Sequence, residues 1–134
     1  MRNVLFLNLT KHDKTATNAD GDLYVKRVDK YIPVSDPSDA LEVWQVAYQT
    51  ISEVTSHIEA AIKSDHEILV ALPGTSLLAA TLAVGLWTSS NSRISLVTAT
   101  KTREGYCFNL KADKIISFPK IDELVQRLTK PSEQ

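Results

Sequence analysis

Polar residues that could do chemistry fall in three short segments of the chain, and each segment lies at the end of an apolar run. The first segment holds Asn8, Thr10, Lys11 and His12, beside the apolar residues 4–7. Lys11 would place a cation, and His12 a proton-transfer group, beside a bound phosphate. The same residues are equally typical of a solvated loop, in which charged side chains serve only to keep the loop in water.

The second segment lies where the apolar run 68–72 meets Pro73 and Gly74, after which Thr75 and Ser76 open a helix. The free N–H groups and the dipole of a helix N-terminus suit an anion, and a hydroxyl could add a hydrogen bond. The pattern is neither a Walker A loop nor a dinucleotide fingerprint, because it has one glycine and no following lysine. Taken locally, it favours an ordinary turn capped by Thr75 or Ser76.

The third segment, residues 98–105, follows the apolar run 94–97 with three hydroxyl groups and two cations. Thr98 and Thr100 supply hydroxyls, while Lys101 and Arg103 could neutralise phosphates, the arginine through two parallel hydrogen bonds. A polar hairpin turn is an equally good interpretation of this segment.

The charge of the chain is small overall but unevenly distributed. The 134 residues include 15 Lys and Arg and 16 Asp and Glu, for a net charge of −1. This balance excludes a broadly basic nucleic-acid coat, and we expect no duplex DNA as a partner. Residues 93–114 carry five cations against two anions, whereas residues 36–67 carry seven anions against one cation. The segregation predicts a basic mouth beside the third segment and an acidic back.

Metal and disulfide chemistry find little support in the sequence. Cys107 is the single cysteine, which excludes an intramolecular disulfide and a Cys-rich zinc site. No pair of His, Asp or Glu has the spacing of a metal site, so we expect neither a metal nor another cofactor. The chain shows no signal-peptide core and no apolar span of about 20 residues. We therefore expect a cytoplasmic protein without membrane contact.

The elements that position the three segments follow from the spacing of apolar residues. Strands are predicted at 4–9, 68–72 and 94–99, from Leu23 to a point before Pro33, and at 105–110 and 114–118. Helices are predicted at 39–64, capped by Ser38 or Asp39, at 75–88, and at 121–129 after Pro119. We further expect a polar loop at 10–22, a single domain over residues 1–130 and a flexible tail at 131–134.

The apolar stripes of the three helices predict which of their side chains form the core. The second helix is apolar nearly all round and is expected to be heavily buried. We expect the following helical side chains to point inward: Leu41, Trp44, Tyr48, Trp87, Ile121, Leu124, Val125 and Leu128.

A strand, a helix and a second strand with short connections form a βαβ unit with parallel strands. The sequence therefore predicts an α/β fold, a Rossmann-like three-layer sandwich with a mostly parallel sheet. Ligands of such sheets bind beyond the carboxyl ends of the strands, where the strand order reverses. The three polar segments all follow strands, so we expect them to meet at that edge.

The order of these elements resembles a known family. The chain places Asn8-Leu9-Thr10 after its first strand, Leu72-Pro73-Gly74-Thr75-Ser76 between the second core strand and its helix, and Thr98 to Arg103 after the third. It thereby resembles the small CRISPR-associated Rossmann-like proteins of type III systems, which are related to CARF domains and include ring nucleases. The resemblance covers roughly residues 3–118. It implies binding of a cyclic oligoadenylate, usually across a homodimer.

Ring nucleases of this type need no metal, because they orient a ribose 2′-hydroxyl in line with its own 3′-phosphate. By position, the resemblance implies catalytic roles for Lys11, His12 and Lys101. It implies that the ligand is bound by Asn8, Thr10, Gly74, Thr75, Ser76, Thr98, Thr100 and Arg103.

The leading hypothesis for the chain is therefore a metal-independent ring nuclease that binds and cleaves a cyclic oligoadenylate. The first alternative is a sensor or sponge that binds the same ligand without cleaving it. The second alternative is a structural or adaptor domain whose loops bind no nucleotide.

Overall fold

A computed structural model describes residues 2–12, 16–17, 23–103 and 105–130 of the chain. The strands are β1 (Arg2–Asn8), β2 (Ala16–Thr17), β3 (Leu23–Asp29), β4 (Glu67–Ala71), β5 (Ile94–Val97), β6 (Ala99–Thr102) and β7 (Gly105–Asn109). The helices are α1 (Ala40–Lys63), α2 (Ser76–Ser89) and α3 (Phe118–Thr129), and a 3-10 turn (Ala112–Lys114) precedes α3. Most of the predicted loop (residues 13–15 and 18–22) and the predicted tail (131–134) lie outside the described residues.

Four parallel strands form the main sheet, in the order β3-β1-β4-β5. The apolar runs of β1 and β4 lie in the middle of this sheet and are buried from Val4 and from Ile68 onward. Parallel strands covered on both faces have this continuous apolar character. The sheet and its helices confirm the predicted α/β, Rossmann-like fold. At the edge of the sheet, β3 ends at Asp29, earlier than the sequence predicted.

Helices α1 and α2 cover one face of the main sheet and pack against each other. They approach closely at Gly85 of α2, where an added Cβ would lie 2.5 Å from Cδ1 of Ile51 on α1. The Gly85 backbone therefore occupies space that a side chain would otherwise fill.

A second, small sheet in the order β2-β7-β6 covers the opposite face. Phe108 of β7 packs edge-on against Phe6 of β1, with ring centroids 5.1 Å apart. The Arg27 guanidinium of β3 lies 5.6 Å and 5.5 Å from the same two rings. The three layers are thus two helices, the parallel sheet and a β-layer, so strands stand where many α/β folds carry further helices.

Helix α1 begins where the sequence predicted. The Asp39 carboxylate accepts hydrogen bonds from the backbone N–H groups of Leu41 and Glu42, at 3.1 Å and 3.3 Å. These bonds satisfy two of the N–H groups that a helix N-terminus leaves without intrahelical partners.

The helices of the described residues include none with the length and hydropathy of a membrane span.

Two strand predictions in the last third of the chain are wrong. The run 94–99 divides after Val97, and Ala99–Thr102 forms β6, which pairs antiparallel with β7. Residues 114–118 do not form a strand. They contribute one antiparallel bridge, in which the backbone groups of Ile116 and Leu96 exchange hydrogen bonds of 2.9 Å and 3.0 Å. The hairpin in this part of the chain is formed by β6 and β7.

Several helical side chains predicted to be core are exposed. On α1 these are Leu41, Trp44 and Tyr48, and α2 likewise leaves Leu77 and Val84 exposed despite its predicted burial. On α3 the predicted core positions Leu124, Val125 and Leu128 are exposed, and none of its residues is fully buried. Trp87 is half-buried, 6.3 Å from the Phe118 ring. In each helix the apolar stripe is wider than the surface that this chain offers for packing.

Candidate functional site

The order of the parallel strands creates a crevice between β1 and β4. The chain leaves β1 toward β3 on one side, and it leaves β4 toward β5 on the other. Loops that diverge from neighbouring strands leave a gap at the carboxyl edge, which is the usual ligand site of open α/β sheets. The first and second polar segments follow these two strands.

A cleft of about 630 Å³ opens at this point of the sheet. The volume falls within the range of about 300–1,000 Å³ that is typical of small-molecule sites. The cleft is lined by Thr10, Lys11, His12, Tyr31, Leu72, Pro73, Gly74, Thr75, Leu96, Val97, Thr98, Ala99 and Ile116. It thus combines residues from all three polar segments with four wall residues that the sequence did not single out, Tyr31, Leu96, Val97 and Ile116.

Asn8 positions the first segment from below the cleft. Its buried side-chain amide donates to Asp29 Oδ1 at 2.7 Å and to the backbone carbonyl of His12. Its side-chain oxygen accepts hydrogen bonds from the N–H and the hydroxyl of Thr10, at 3.1 Å and 2.7 Å. Asn8 was predicted to bind the ligand, but both ends of its amide are occupied within the protein. The network shapes the loop that carries Lys11 and His12.

Within this loop the roles of the predicted residues separate. Thr10 is buried, and its hydroxyl accepts a hydrogen bond from the His12 N–H at 3.1 Å, so it also serves the loop itself. Lys11 is exposed and His12 is half-buried, and both line the cleft. These two are the side chains of the first segment that a ligand would meet.

The second segment brings the start of α2 to the cleft. Thr75 is the N-cap, with extended backbone angles (φ −74°, ψ 114°), and its carbonyl accepts the first helical hydrogen bond from Ala79 at 2.8 Å. Its side chain makes no capping hydrogen bond. Apart from Gly74 itself and its two chain neighbours, the described residues place no heavy atom within 4 Å of the position that a Cβ would take at Gly74. The cleft therefore borders on open backbone and on N–H groups without intrahelical partners. Ser76 is exposed outside the cleft lining.

The third segment reaches the cleft only with its first residues. Thr98 and Ala99 line it, whereas Thr100, Lys101 and Arg103 do not. The reason is the pairing of β6 with β7, in which Thr100 stands opposite Cys107 and the chain continues into the second sheet. The structure therefore leaves Thr100, Lys101 and Arg103 outside the cleft lining, and the roles predicted for them stay predictions.

The charge of the cleft comes from the first segment. Among the described residues that line it, Lys11 is the lysine, His12 is the imidazole, and there is no carboxylate. Arg93, one of the cations counted toward the predicted basic mouth, lies before β5 at the opposite edge of the sheet, where it donates to Asp65 Oδ1 at 2.6 Å. The surroundings suit an anion more than a cation, and the described part of the chain contains no group of three His, Cys, Asp or Glu residues able to hold a metal ion.

Tyr31 gives the cleft an aromatic wall. It lies just beyond the end of β3, and 43% of its surface is exposed. A clue to it exists in the sequence, because an aromatic residue directly behind a parallel strand lies at the same edge as the polar segments. The apolar residues between 23 and 34 are irregularly spaced, so the sequence did not indicate that β3 ends at Asp29.

Comparison of the chain with protein-family models, with curated proteins and with solved structures finds no match. The chemistry of the cleft itself therefore carries the functional conclusion.

Proposed function

We propose that the cleft binds a phosphorylated nucleotide, with a cyclic oligoadenylate as the ligand. The observation that carries this proposal is the meeting of Lys11 with the open N-terminus of α2 in one cleft whose described lining holds no carboxylate. A phosphate there would accept hydrogen bonds from the helix N–H groups and a charge-assisted one from Lys11. The hydroxyls of Thr75 and Thr98 add donors of the same kind.

The aromatic wall supports a nucleotide over a bare phosphate. The half-exposed Tyr31 offers a ring face on which a base can stack, and stacking of this kind accepts any base. The cyclic form of the ligand comes from the resemblance of the sequence to the CRISPR-associated Rossmann-like proteins.

In the ring-nuclease hypothesis, cleavage of the ring falls to the groups that line the cleft. The 2′-oxygen of a ribose would attack its own 3′-phosphate, a new bond would form between that oxygen and phosphorus, and the bond to the 5′-oxygen of the next nucleotide would break. The 2′-hydroxyl would give up its proton, the 5′-oxygen would take one up, and the product would be linear with a cyclic phosphate end. Lys11 and His12 are the candidates for stabilising charge and transferring the proton. Lys101 lies outside the cleft lining, so the proposal assigns it no part in this step.

Calorimetric titration with cyclic tetra-adenylate and cyclic hexa-adenylate tests the binding proposal. We expect saturable binding that Lys11→Ala weakens by about tenfold, which corresponds to about 1.4 kcal/mol. Lys101→Ala is the matched control, because it removes the same charge from β6 outside the cleft lining, and it should bind like the wild type. The proposal fails if neither cyclic oligoadenylate binds, or if Lys11→Ala and Lys101→Ala lose affinity equally. The adaptor alternative then becomes the better explanation.

Product analysis then separates the enzyme from the sensor. Chromatography after incubation without added metal should show linear products with cyclic phosphate ends if the chain is a ring nuclease, and His12→Ala should slow their formation. Intact ligand beside tight binding identifies a sensor or sponge.

A further inference from the structure

An exposed apolar surface extends over the two helices on one side of the main sheet. On α1, Leu41, Trp44 and Tyr48 are 65%, 57% and 63% exposed, and on α2, Leu77 and Val84 are 44% and 68% exposed. Large apolar side chains this exposed are common singly but not as a group. We refer to these five residues as the α1/α2 face.

The helix register makes these five residues one surface. Ile51 meets α2 at Gly85, and Trp44 lies seven positions before Ile51, so it is on the same flank of α1 two turns away. Leu77 and Val84 lie seven positions apart on one flank of α2, opposite its stripe of buried leucines, and Leu41 and Tyr48 stand in the same relation to the buried stripe of α1. The exposed residues of both helices therefore face away from the sheet, on the outer surface of the helix layer.

The α1/α2 face carries no charge. Helix α2 contains no charged residue in its 14 positions, and α1 contains none from Val43 to Ser52. Solvated surfaces usually mix charges of both signs at about a quarter to a third of positions. A partner with a charged surface would find nothing to pair with here. A neutral apolar face, by contrast, is complementary to itself, which is what a two-fold contact between identical chains requires.

The face also has the size and composition of an interface. With about 200 Å² for one large side chain, the five exposed residues together present on the order of 600 Å². A standard interface buries about 800 Å² per partner, so the five residues and their small neighbours supply most of it. Trp and Tyr dominate interface energetics. The rings of Trp44 and Tyr48 are already stacked, with centroids 5.5 Å apart and planes 19° apart.

We infer that the α1/α2 face is the contact between two copies of this chain, related by a two-fold axis. Trp44 and Tyr48 of each copy would meet the apolar flank of the other, so that four helices enclose one apolar layer. On α2 the α1/α2 face begins at Leu77, two residues after Thr75. Thr75 lines the cleft and Leu77 does not, so the contact between the copies would border the cleft without including it.

Sedimentation equilibrium over a range of protein concentrations, without nucleotide, tests this inference independently of the proposed function. We expect a dimer for the wild type and a dissociation constant raised on the order of 100-fold by Val84→Glu, because symmetry places two carboxylates in one apolar contact. Val84 is exposed and glutamate is a good helix former, so this variant should fold, which circular dichroism checks.

Leu128→Glu on α3 is the matched control, since it places the same charge at another exposed leucine outside the α1/α2 face. It should leave the dimer intact. Trp44→Gln provides a second variant within the face and should weaken the dimer as well. A wild type that stays monomeric at every concentration overturns the inference. A dimer that Leu128→Glu breaks and Val84→Glu does not also overturns it, because the contact would then lie on α3.

Discussion

The side-chain amide of Asn8 lies 2.7 Å from a carboxylate oxygen of Asp29, its register partner on the neighbouring strand. This hydrogen bond joins the carboxyl ends of β1 and β3. The same amide fixes the loop from Thr10 to His12. A single side chain thus connects the edge of the main sheet to the loop that carries Lys11.

Replacing Asn8 should damage stability and binding together. Asn8→Ala leaves buried partners of this network unsatisfied, and we expect the free energy of unfolding to fall by about 2–3 kcal/mol. Urea denaturation measures the loss. Lys11→Ala serves as the control, because Lys11 is exposed and its loss should leave stability within about 0.5 kcal/mol of the wild type. Equal stability of Asn8→Ala and the wild type would contradict the role assigned to the network.

Tyr31 should contribute to affinity through its ring. Tyr31→Ala removes the stacking surface, which is worth about 1–3 kcal/mol per base, whereas Tyr31→Phe keeps the ring and should bind like the wild type. Titration with cyclic tetra-adenylate measures both. Tyr24→Ala is the control, since Tyr24 is exposed on β3 outside the cleft lining. A loss of affinity in Tyr31→Phe equal to that in Tyr31→Ala would show that the hydroxyl matters and the ring does not.

The two long helices start differently, and alanine at each N-cap should reveal it. Asp39→Ala removes hydrogen bonds to two backbone N–H groups and should cost about 1 kcal/mol of stability. Thr75→Ala removes a hydroxyl that caps nothing, so it should cost much less stability but reduce affinity for the nucleotide. Thermal denaturation and titration of the two variants give both quantities. The prediction fails if Thr75→Ala is the more destabilised variant.

Gly85 and Ile51 should be energetically coupled. Gly85→Ala improves helix propensity by about 1 kcal/mol, but its methyl group displaces the end of the Ile51 side chain. We expect the single variant to be nearly neutral. Ile51→Val removes the atom in the way, so the double variant should be more stable than the sum of the singles by about 0.5–1 kcal/mol. A double-mutant cycle from urea denaturation measures this coupling, and strict additivity would refute it.

Asp65 should make stability depend on pH. The hydrogen bond from Arg93, together with its charge, holds the pKa of Asp65 below its ordinary value of 3.8. A carboxyl group whose pKa is lowered by folding stabilises the protein above its unfolded pKa, and this contribution disappears as the pH falls through the folded pKa. Asp65→Asn lacks the contribution and tolerates the left-handed backbone at this position (φ 55°).

The urea midpoints of the wild type and Asp65→Asn should therefore differ at neutral pH and converge in acid. Added salt should narrow the difference at neutral pH, because the pair is solvent-exposed. A difference that stays constant from neutral to acidic pH would contradict the assignment.

The sequence predicts the central elements of the fold well because local chemistry determines them. The continuous apolar runs at Val4 and Ile68 require burial on both faces, which only the centre of a parallel sheet offers. Asp39 marks the start of α1 through its own hydrogen bonds. Gly74 and Thr75 reach the cleft because they directly follow the central strand β4.

The sequence fails where the surroundings of a residue depend on parts of the chain that are distant in sequence. The polar residues from Thr100 to Arg103 are compatible with a ligand loop, and only their pairing with β7 takes them from the cleft. Trp44 follows the same apolar periodicity as the buried Ala47 and Val54, so a pattern of spacing cannot tell a core position from an exposed one on the flank of the same stripe. That distinction depends on what packs against the helix.

The bridge between Leu96 and Ile116 bears on aggregation. An unpaired strand at the border of a sheet exposes a row of N–H and C=O groups on which foreign strands can add. In β5 the Leu96 groups on the side away from β4 are engaged by Ile116, and the side chain of Ser95 accepts a further hydrogen bond from the Phe118 N–H at 2.9 Å. A strand of only four residues leaves little length to either side of this bridge. A foreign strand would have to displace it first, so this border is protected against strand addition and open-ended polymerisation, in which each added copy would expose a new border.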